Sequence, residues 1–169
     1  MAMDMASAQA DDDLGHLKAC LGGDLDAVLV HNLLSTYSHL SPFVDAGLRQ
    51  EQITATQLNA LLVLRAAGPD GLLMGEIGER LVVTKSNVTG LVDRLEAQGL
   101  AARGQHHDRR ATVVRLTDAG AALLDQVLPH HAKLLGELTD CLDAAEKKTL
   151  IHLLTKLRRE LRRRRGGSG

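Results

Sequence analysis

Apolar residues recur at helical spacing along most of this chain. The clearest stretch is residues 84–99, where four of them fall at positions i, i+3, i+4 and i+7: Val88, Leu91, Val92 and Leu95. That spacing puts all four on one face of a helix, which we predict to face the core. Thr84 is suited to cap the start of this helix, and Gly99 is suited to end it.

Similar but weaker patterns predict five further helices, over residues 24–47, 54–67, 75–81, 117–138 and 143–165. Capping boxes at residues 54–57 and 143–146 and a Thr at 117 mark three of their starts. Pro42 is expected to kink the first helix or split it in two, and Pro129 is expected to bend the one after residue 117.

The spacing of apolar residues changes from helical to strand-like after Gly99. Residues 100–105 and 111–116 read as two short strands, the second β-branched and alternating, and the polar residues 106–110 between them read as an exposed tip. Leu72 and Leu73 are candidates for a minimal third strand. We therefore predict a mainly α fold with a small β-hairpin, in which a short helix, a turn and the helix at 84–99 form a helix-turn-helix.

Composition agrees with a helical protein of this size. The 169 residues are 44% hydrophobic but only 1% aromatic, so Leu, Val and Ala must build the core. A net charge of −1 excludes a simple polycation but not a locally basic surface. No apolar run has the length of a membrane span, and the N-terminus is acidic rather than signal-like, so we expect a cytoplasmic protein.

The exposed face of the helix at 84–99 carries small hydrogen-bonding side chains and two long cations. Its polar positions are Thr84, Lys85, Ser86, Asn87, Thr89, Gly90 and Arg94. Small polar groups near a helix N-terminus are suited to a DNA major groove, where base edges present donors and acceptors. A solvated amphipathic helix has the same pattern, so these residues alone leave both interpretations open.

The combination of motifs resembles the MarR family of winged helix-turn-helix regulators. The matching residues lie within 53–128: ITATQLNALLVL, GEIGERL, TKSNVTGLVDRLEAQGL and the hairpin HHDRRATVVRLTDAG. The resemblance implies a homodimer that binds palindromic promoter DNA, often as a repressor relieved by a small molecule or an oxidant. It implies an N-terminal dimerisation region (24–52), a winged helix-turn-helix DNA-binding domain (53–117) and C-terminal dimerisation helices (118–163). Composition predicts a flexible acidic segment before them (1–23) and a flexible tail after them (164–169).

Under this resemblance the helix at 84–99 is the recognition helix and the hairpin is the wing. Asn87 is suited to an adenine edge, and Gly90 departs from the larger residue common at its position in the family. In the wing, Asp108 can pair with Arg110 and hold it extended toward the minor groove, while Arg109 is directed to phosphate. Two histidines of the tip, His106 and His107, could add charge as the pH falls.

The dimerisation helices carry more apolar surface than one small domain can cover, so we expect a twofold pair. Effectors in this family commonly bind between these helices and the DNA-binding lobe. By position, that implicates Tyr37, His39, Phe43, Leu62, Arg65 and residues 122–126. Ordinary packing is the alternative role for each of them.

Two other kinds of regulator stay open. Cys20 and Cys141 could sense oxidants, although cysteines in such a chain are more often buried small hydrophobes, and Cys20 lies about ten residues earlier than in redox-sensing relatives. A metal sensor would need clustered ligands, and no two of the eight histidines lie at i, i+4 spacing. We expect no metal or cofactor.

A different class of function also stays open. A winged-helix dimer could serve protein interaction or ligand binding without specific DNA binding. An enzyme is not expected, because the sequence has no Walker loop, nucleophile elbow, HExxH or paired CxxC motif.

Overall fold

The computed structural model describes residue 20 and residues 22–81, 85–105 and 111–166, with the side chains of 85, 86, 165 and 166 left out. Several predicted features lie outside the described residues: residues 1–19 and 21 of the acidic segment, Thr84, the wing tip with Asp108, Arg109 and Arg110, and residues 167–169. The chain divides into two compact units, residues 1–55 and 56–169, and each is described by itself.

The first unit contains one long helix, α1 (Leu25–Gly47). The carboxylate of Asp24 caps it by accepting the N–H of Asp26 at 3.0 Å. Of the two outcomes expected at Pro42, a kink or a split, the split does not occur, because the helix continues for five residues beyond it. The proline removes one helical hydrogen bond without ending the helix.

The second unit contains the predicted helix-turn-helix and hairpin. It comprises α2 (Ala55–Ala67), a 3-10 turn (Gly68–Asp70), β1 (Leu72–Leu73), α3 (Met74–Leu81), α4 (Lys85–Ala97), β2 (Ala101–Gln105), β3 (Thr112–Leu116), α5 (Asp118–Leu138) and α6 (Ala144–Gly166). Apart from one- to three-residue differences at element ends, these are the elements that the sequence predicts. The architecture is therefore mainly helical with a small antiparallel sheet.

The sheet has the strand order β1-β3-β2 and both pairings are antiparallel. Leu72 pairs with Val114, and Ala101 pairs with Leu116. The minimal strand predicted at residues 72–73 thus becomes the third strand beside the hairpin. Val113 and Val114 are buried, as are Leu58, Leu61 and Leu64 of α2, Ile77 of α3 and Leu124 and Val127 of α5. This core fixes the hairpin against the helix-turn-helix.

Both C-terminal helices begin at the predicted caps. The hydroxyl of Thr117 accepts the N–H of Gly120 at 3.0 Å. In the capping box of α6, the Asp143 carboxylate accepts the Glu146 N–H at 2.9 Å and the Glu146 carboxylate accepts the Asp143 N–H at 2.8 Å. Helix α5 passes through Pro129 as one element, and α6 continues to Gly166, beyond the expected start of the tail at 164.

Exposed large hydrophobic side chains are concentrated on two helices. In the part of the chain that the structure describes, all of them lie on α1 or α6: Leu25, Leu29, Val30, Leu34, Tyr37, Phe43, Leu150, Ile151, Leu153, Leu157 and Leu161. Water contact with this much apolar surface is unfavourable. None of the described helices is both long enough and apolar enough to span a bilayer.

Candidate nucleic-acid interface

Helix α4 buries the apolar stripe that the sequence predicts. Val88, Leu91, Val92 and Leu95 are each at most 2% exposed. Because this face is fixed in the core, the opposite face must point outward. The outward face carries the polar residues predicted to contact DNA. The burial of the stripe therefore determines which side chains of α4 are available to a ligand.

Three of the predicted recognition residues are exposed on α4: Asn87, Thr89 and Arg94. Gly90 is half-buried, and a Cβ added there would meet only Nη1 of Arg94, at 3.9 Å. Lys85 and Ser86 lie in the first turn of the helix, but their side chains are outside the described residues. Asn87, Gly90 and Arg94 are spaced i, i+3 and i+7, so they share one face.

A complete Schellman motif ends α4 and directs the chain into the hairpin. The N–H of Leu100 donates to the Leu95 carbonyl at 2.8 Å, and the N–H of Gly99 donates to the Glu96 carbonyl at 2.9 Å. Gly99 has φ +71°, which glycine adopts without strain. The two hydrogen bonds fix the angle between the recognition helix and β2.

Arg103 of β2 connects the wing directly to the recognition helix. Its guanidinium pairs with Asp93 at 2.5 Å and with Glu96 at 2.7 Å, and its backbone N–H donates to Glu96 at 2.9 Å. The hydrogen bond to Asp93 is the main cause that raises the pKa of Arg103. The positive charge of Arg103 offsets the negative charges of Asp93 and Glu96. These two carboxylates would otherwise repel a polyanion at α4.

Thr117 connects the base of the wing to the same helix end. Its hydroxyl donates to the Gly99 carbonyl at 2.7 Å while it caps α5. Gly120 lies close to the Leu100 carbonyl, so that a Cβ at this position would clash with it. The hairpin base, the end of α4 and the start of α5 therefore form one fixed junction.

The wing tip itself lies outside the described residues. The described strands end with Gln105 opposite Thr112, so residues 106–111 connect them, and the three predicted wing contacts fall within this connection. Their roles stay predictions.

The proposed effector residues fall in both units. In the first, Tyr37 and Phe43 are 69% and 57% exposed, and Nδ1–H of His39 donates to the Ser35 carbonyl at 2.8 Å. In the second, Leu62 is half-buried, and Arg65 forms an ion pair with Asp125 at 2.8 Å. The structure thus joins Arg65 to the segment 122–126, which the sequence analysis named only by position.

Both cysteines are free and exposed, so the expectation that they would be buried is wrong. Cys20 is helical and precedes α1, while Cys141 lies in the turn between α5 and α6, where connecting segments run over the surface. Among the residues that the structure describes, no group of three or more His, Cys, Asp or Glu side chains could hold a metal ion.

Sequence reasoning missed three connections in the second unit. It named neither the cluster of Arg103 with Asp93 and Glu96 nor the hydrogen bond from Gln57 Nε2 to Gln98 Oε1 at 2.8 Å. It also missed the donation from Arg162 to the Arg80 carbonyl at 3.2 Å. The i, i+3 spacing of Asp93 and Glu96 was the one available signal, because it places two carboxylates side by side on a helix that needs a cation nearby.

Comparisons with known proteins agree with this architecture. The sequence model of the MarR family matches residues 51–111 of this chain. The transcriptional repressor NicR of Pseudomonas putida is 31% identical over 136 residues, which cover 79% of this chain and 84% of the relative. A mutant Escherichia coli MarR solved with operator DNA is 29% identical, with a TM-score of 0.70 over 79% of this chain and 98% of that one.

A third similar protein is Bordetella bronchiseptica BpsR, whose DNA binding is regulated by 6-hydroxynicotinic acid. It is 25% identical to this chain and superimposes with a TM-score of 0.69, covering 76% of this chain and 97% of that one. The likeness extends over nearly the whole of each of these two solved chains.

Proposed function

Because the chain belongs to the MarR family of winged helix-turn-helix, DNA-binding transcriptional regulators, we propose that it is a homodimeric repressor of palindromic promoter sites. The observation that carries this proposal is the outward face of α4. Its apolar stripe is fixed in the core, which leaves Asn87, Thr89 and Arg94 exposed beside a hairpin tied to the same helix by Arg103.

In this proposal α4 enters the major groove with Thr84 at its start, and four of its residues face the bases: Ser86, Asn87, Thr89 and Gly90. Asn87 reads an adenine edge, and Lys85 and Arg94 are nearer to phosphates. In the wing, Arg110 enters the minor groove, held by Asp108, while Arg109 binds phosphate. A twofold pair would set the two α4 helices about 34 Å apart, which is one turn of DNA.

The apolar faces of α1 and α6 support the homodimer. A protein of this size rarely leaves eleven large apolar side chains on two helices in water, and a second copy would cover them.

Fluorescence anisotropy with DNA from upstream of the protein's own gene tests DNA recognition. We expect a salt-sensitive, sequence-selective complex, and Arg110→Ala should weaken it by about 1–3 kcal/mol. Lys133→Ala on α5, at an exposed cation remote in sequence from the site, is the control. If the wild type shows no selectivity, the alternative of an interaction or ligand-binding dimer replaces this proposal.

We further propose that a small aromatic carboxylate relieves repression, as the regulation of BpsR by 6-hydroxynicotinic acid suggests. The cation available to it is Arg65, which is 44% exposed and paired with an Asp125 that is 66% exposed. An exposed ion pair contributes about 0–1 kcal/mol, so a ligand carboxylate can replace Asp125 on the guanidinium fork. Leu62, in the same unit as Arg65, stays a candidate for the rest of the site, and the roles of Tyr37, His39 and Phe43 stay predictions.

A thermal-shift titration with 6-hydroxynicotinic acid tests this assignment, because a ligand that binds the folded state raises its melting temperature. Arg65→Gln should abolish the shift and Asp125→Asn should enlarge it. An unchanged shift in Arg65→Gln would show that the carboxylate binds elsewhere. If hydrogen peroxide instead releases DNA from the wild type but not from Cys20→Ser or Cys141→Ser, the redox alternative is correct.

A further inference from the structure

The end of α6 is far more basic than the rest of the protein. Residues 156–165, which we call the basic run, contain seven of the chain's 20 Lys and Arg residues and one of its 21 Asp and Glu residues. The remainder has 13 cations against 20 acids, a net charge of −7, so a chain that is nearly neutral overall has one strongly positive end. The described cations of the run are all exposed: Lys156, Arg158, Arg159, Arg162, Arg163 and Arg164.

Helix stability does not account for the basic run. Cations in the last turn of a helix interact favourably with its dipole, but this effect fades within one turn. Arg158 and Arg159 lie about two turns before the end, and each faces another arginine at i+4, which is repulsive. Glu160, the one acidic residue of the run, offsets part of the repulsion by accepting hydrogen bonds from Arg163 at 2.7 Å and from Arg164 at 2.9 Å. Binding of an external polyanion to the basic run would therefore relieve the repulsion between its arginines.

The structure places this helix end beside the helix-turn-helix. Nη2 of Arg162 donates to the backbone carbonyl of Arg80 at 3.2 Å. Arg80 is in the last turn of α3, and α4 begins at Lys85, so the contact lies at the end of α3 that precedes α4 in the chain. Arg80 is itself exposed and cationic. Arg158 lies one turn before Arg162 on the same face of α6 and extends the positive surface.

We propose that the basic run is a second DNA contact, which binds backbone phosphates flanking the site occupied by α4. This inference rests on the proposed function, because it places the DNA at the helix-turn-helix. The contact is electrostatic and carries no sequence information. It adds affinity for operator and non-operator DNA alike and would let an otherwise acidic protein search along DNA.

The test compares three double variants: Arg158→Gln with Arg162→Gln, Arg158→Lys with Arg162→Lys, and, as the matched control, Lys147→Gln with Lys148→Gln at the other end of α6. Each is titrated by anisotropy with operator DNA and with a random duplex of equal length over a range of salt concentrations. Circular dichroism and sedimentation check that helicity and oligomeric state are unchanged.

Each phosphate contact contributes about 0.9 to the slope of log K against log salt concentration. We expect the Gln pair to lower this slope by about 2 per protomer on both DNAs, with a similar fold-loss of affinity for each. The Lys pair should keep the slope because it keeps the charge, and the control should match the wild type. The single variant Arg158→Gln should retain about half of the effect, which separates phosphate binding from loss of the Arg162–Arg80 hydrogen bond.

An unchanged slope in the Gln pair overturns the inference, even if operator binding remains selective and the proposed function stands. A lowered slope on random DNA with no selectivity in the wild type supports the inference and removes the proposed function. Vesicles of phosphatidylglycerol are the remaining probe. If the Gln pair abolishes vesicle binding and leaves both DNA slopes intact, the partner is an anionic membrane and the inference is wrong.

Discussion

Arg103 on β2 pairs with Glu96 on α4 at 2.7 Å, and its backbone N–H donates to the same carboxylate at 2.9 Å. One residue thus uses both its side chain and its main chain to connect the wing to the helix proposed to read DNA. Asp93, one turn earlier, completes the pairing. The arrangement makes the angle between helix and wing a property of a few polar contacts rather than of the core alone.

We predict that Arg103→Ala weakens DNA binding more than it destabilises the fold. The pairs are partly exposed, so their loss should cost about 1 kcal/mol of stability. Binding should fall further, because Asp93 and Glu96 are left as uncompensated negative charges near DNA. Arg103→Lys, which keeps the charge but not the fork, should be intermediate.

Thermal denaturation and anisotropy titrations measure the two effects. Combining Arg103→Ala with Asp93→Asn and Glu96→Gln should recover part of the affinity, since the repulsion is removed. Binding by Arg103→Ala that equals the wild type at every salt concentration would contradict this role.

Gly71 is predicted to be irreplaceable for two separate reasons. It has φ +73°, and a Cβ there would clash with the Val114 carbonyl and lie 2.7 Å from Cγ of Arg115. Gly68 has the same φ but open space around it, so Gly68→Ala is a control for backbone strain alone. Denaturant unfolding should show a loss of about 1 kcal/mol for Gly68→Ala and about 3 kcal/mol or more for Gly71→Ala. Equal losses would show that the sheet yields to the added methyl group.

Gly90→Ala is expected to change stability and DNA binding in opposite directions. The added methyl group meets only Arg94, at 3.9 Å, and alanine favours a helix over glycine by about 1 kcal/mol. The melting temperature should therefore rise. Operator affinity should fall, because the methyl group occupies space on the face that carries Asn87 and Arg94. Unchanged affinity in the anisotropy titration would mean that Gly90 does not approach DNA closely.

Ile151→Asp should dissociate the proposed homodimer while leaving the protomer folded. Ile151 is 64% exposed, so a charge there costs little within one chain but is unfavourable in an apolar interface. His152→Asp is the matched control, because this exposed residue lies on the face of α6 opposite Leu150, Leu157 and Leu161. Light scattering after size exclusion should show a monomer for Ile151→Asp and a dimer for the control. A dimer in both would place the interface away from this residue.

Glu160 should titrate far below an ordinary glutamate. Hydrogen bonds from Arg163 and then Arg164 lower its pKa from 4.5 to about 2. Because the folded-state pKa is depressed, the stabilisation is present above about pH 4.5 and is lost as the pH falls toward 2. Carboxylate NMR should give a midpoint near 2 in the wild type. In a variant with Arg163→Gln and Arg164→Gln it should return to about 4.3, and a wild-type midpoint already near that value would show that the pairs do not persist in solution.

The sequence by itself determined the elements and their buried faces. The stripe of Val88, Leu91, Val92 and Leu95 is buried as its spacing predicts. The capping box of Asp143 and Glu146 forms both of its predicted hydrogen bonds. These features depend on residues within one or two turns of each other, so local periodicity and hydrogen bonding suffice. At Pro42 the local rule left two outcomes open, a kink or a split, and the structure shows that α1 is not split there.

Only the tertiary structure decided which polar side chains meet. Arg65 pairs with Asp125, Arg103 pairs with Asp93 and Glu96, and Arg162 donates to the Arg80 carbonyl 82 residues away. Nothing in the spacing of such residues selects one partner among many of the same charge. The choice is made when buried apolar faces fix the helices and strands in space, and the polar residues on their outer faces then pair with whatever lies within reach.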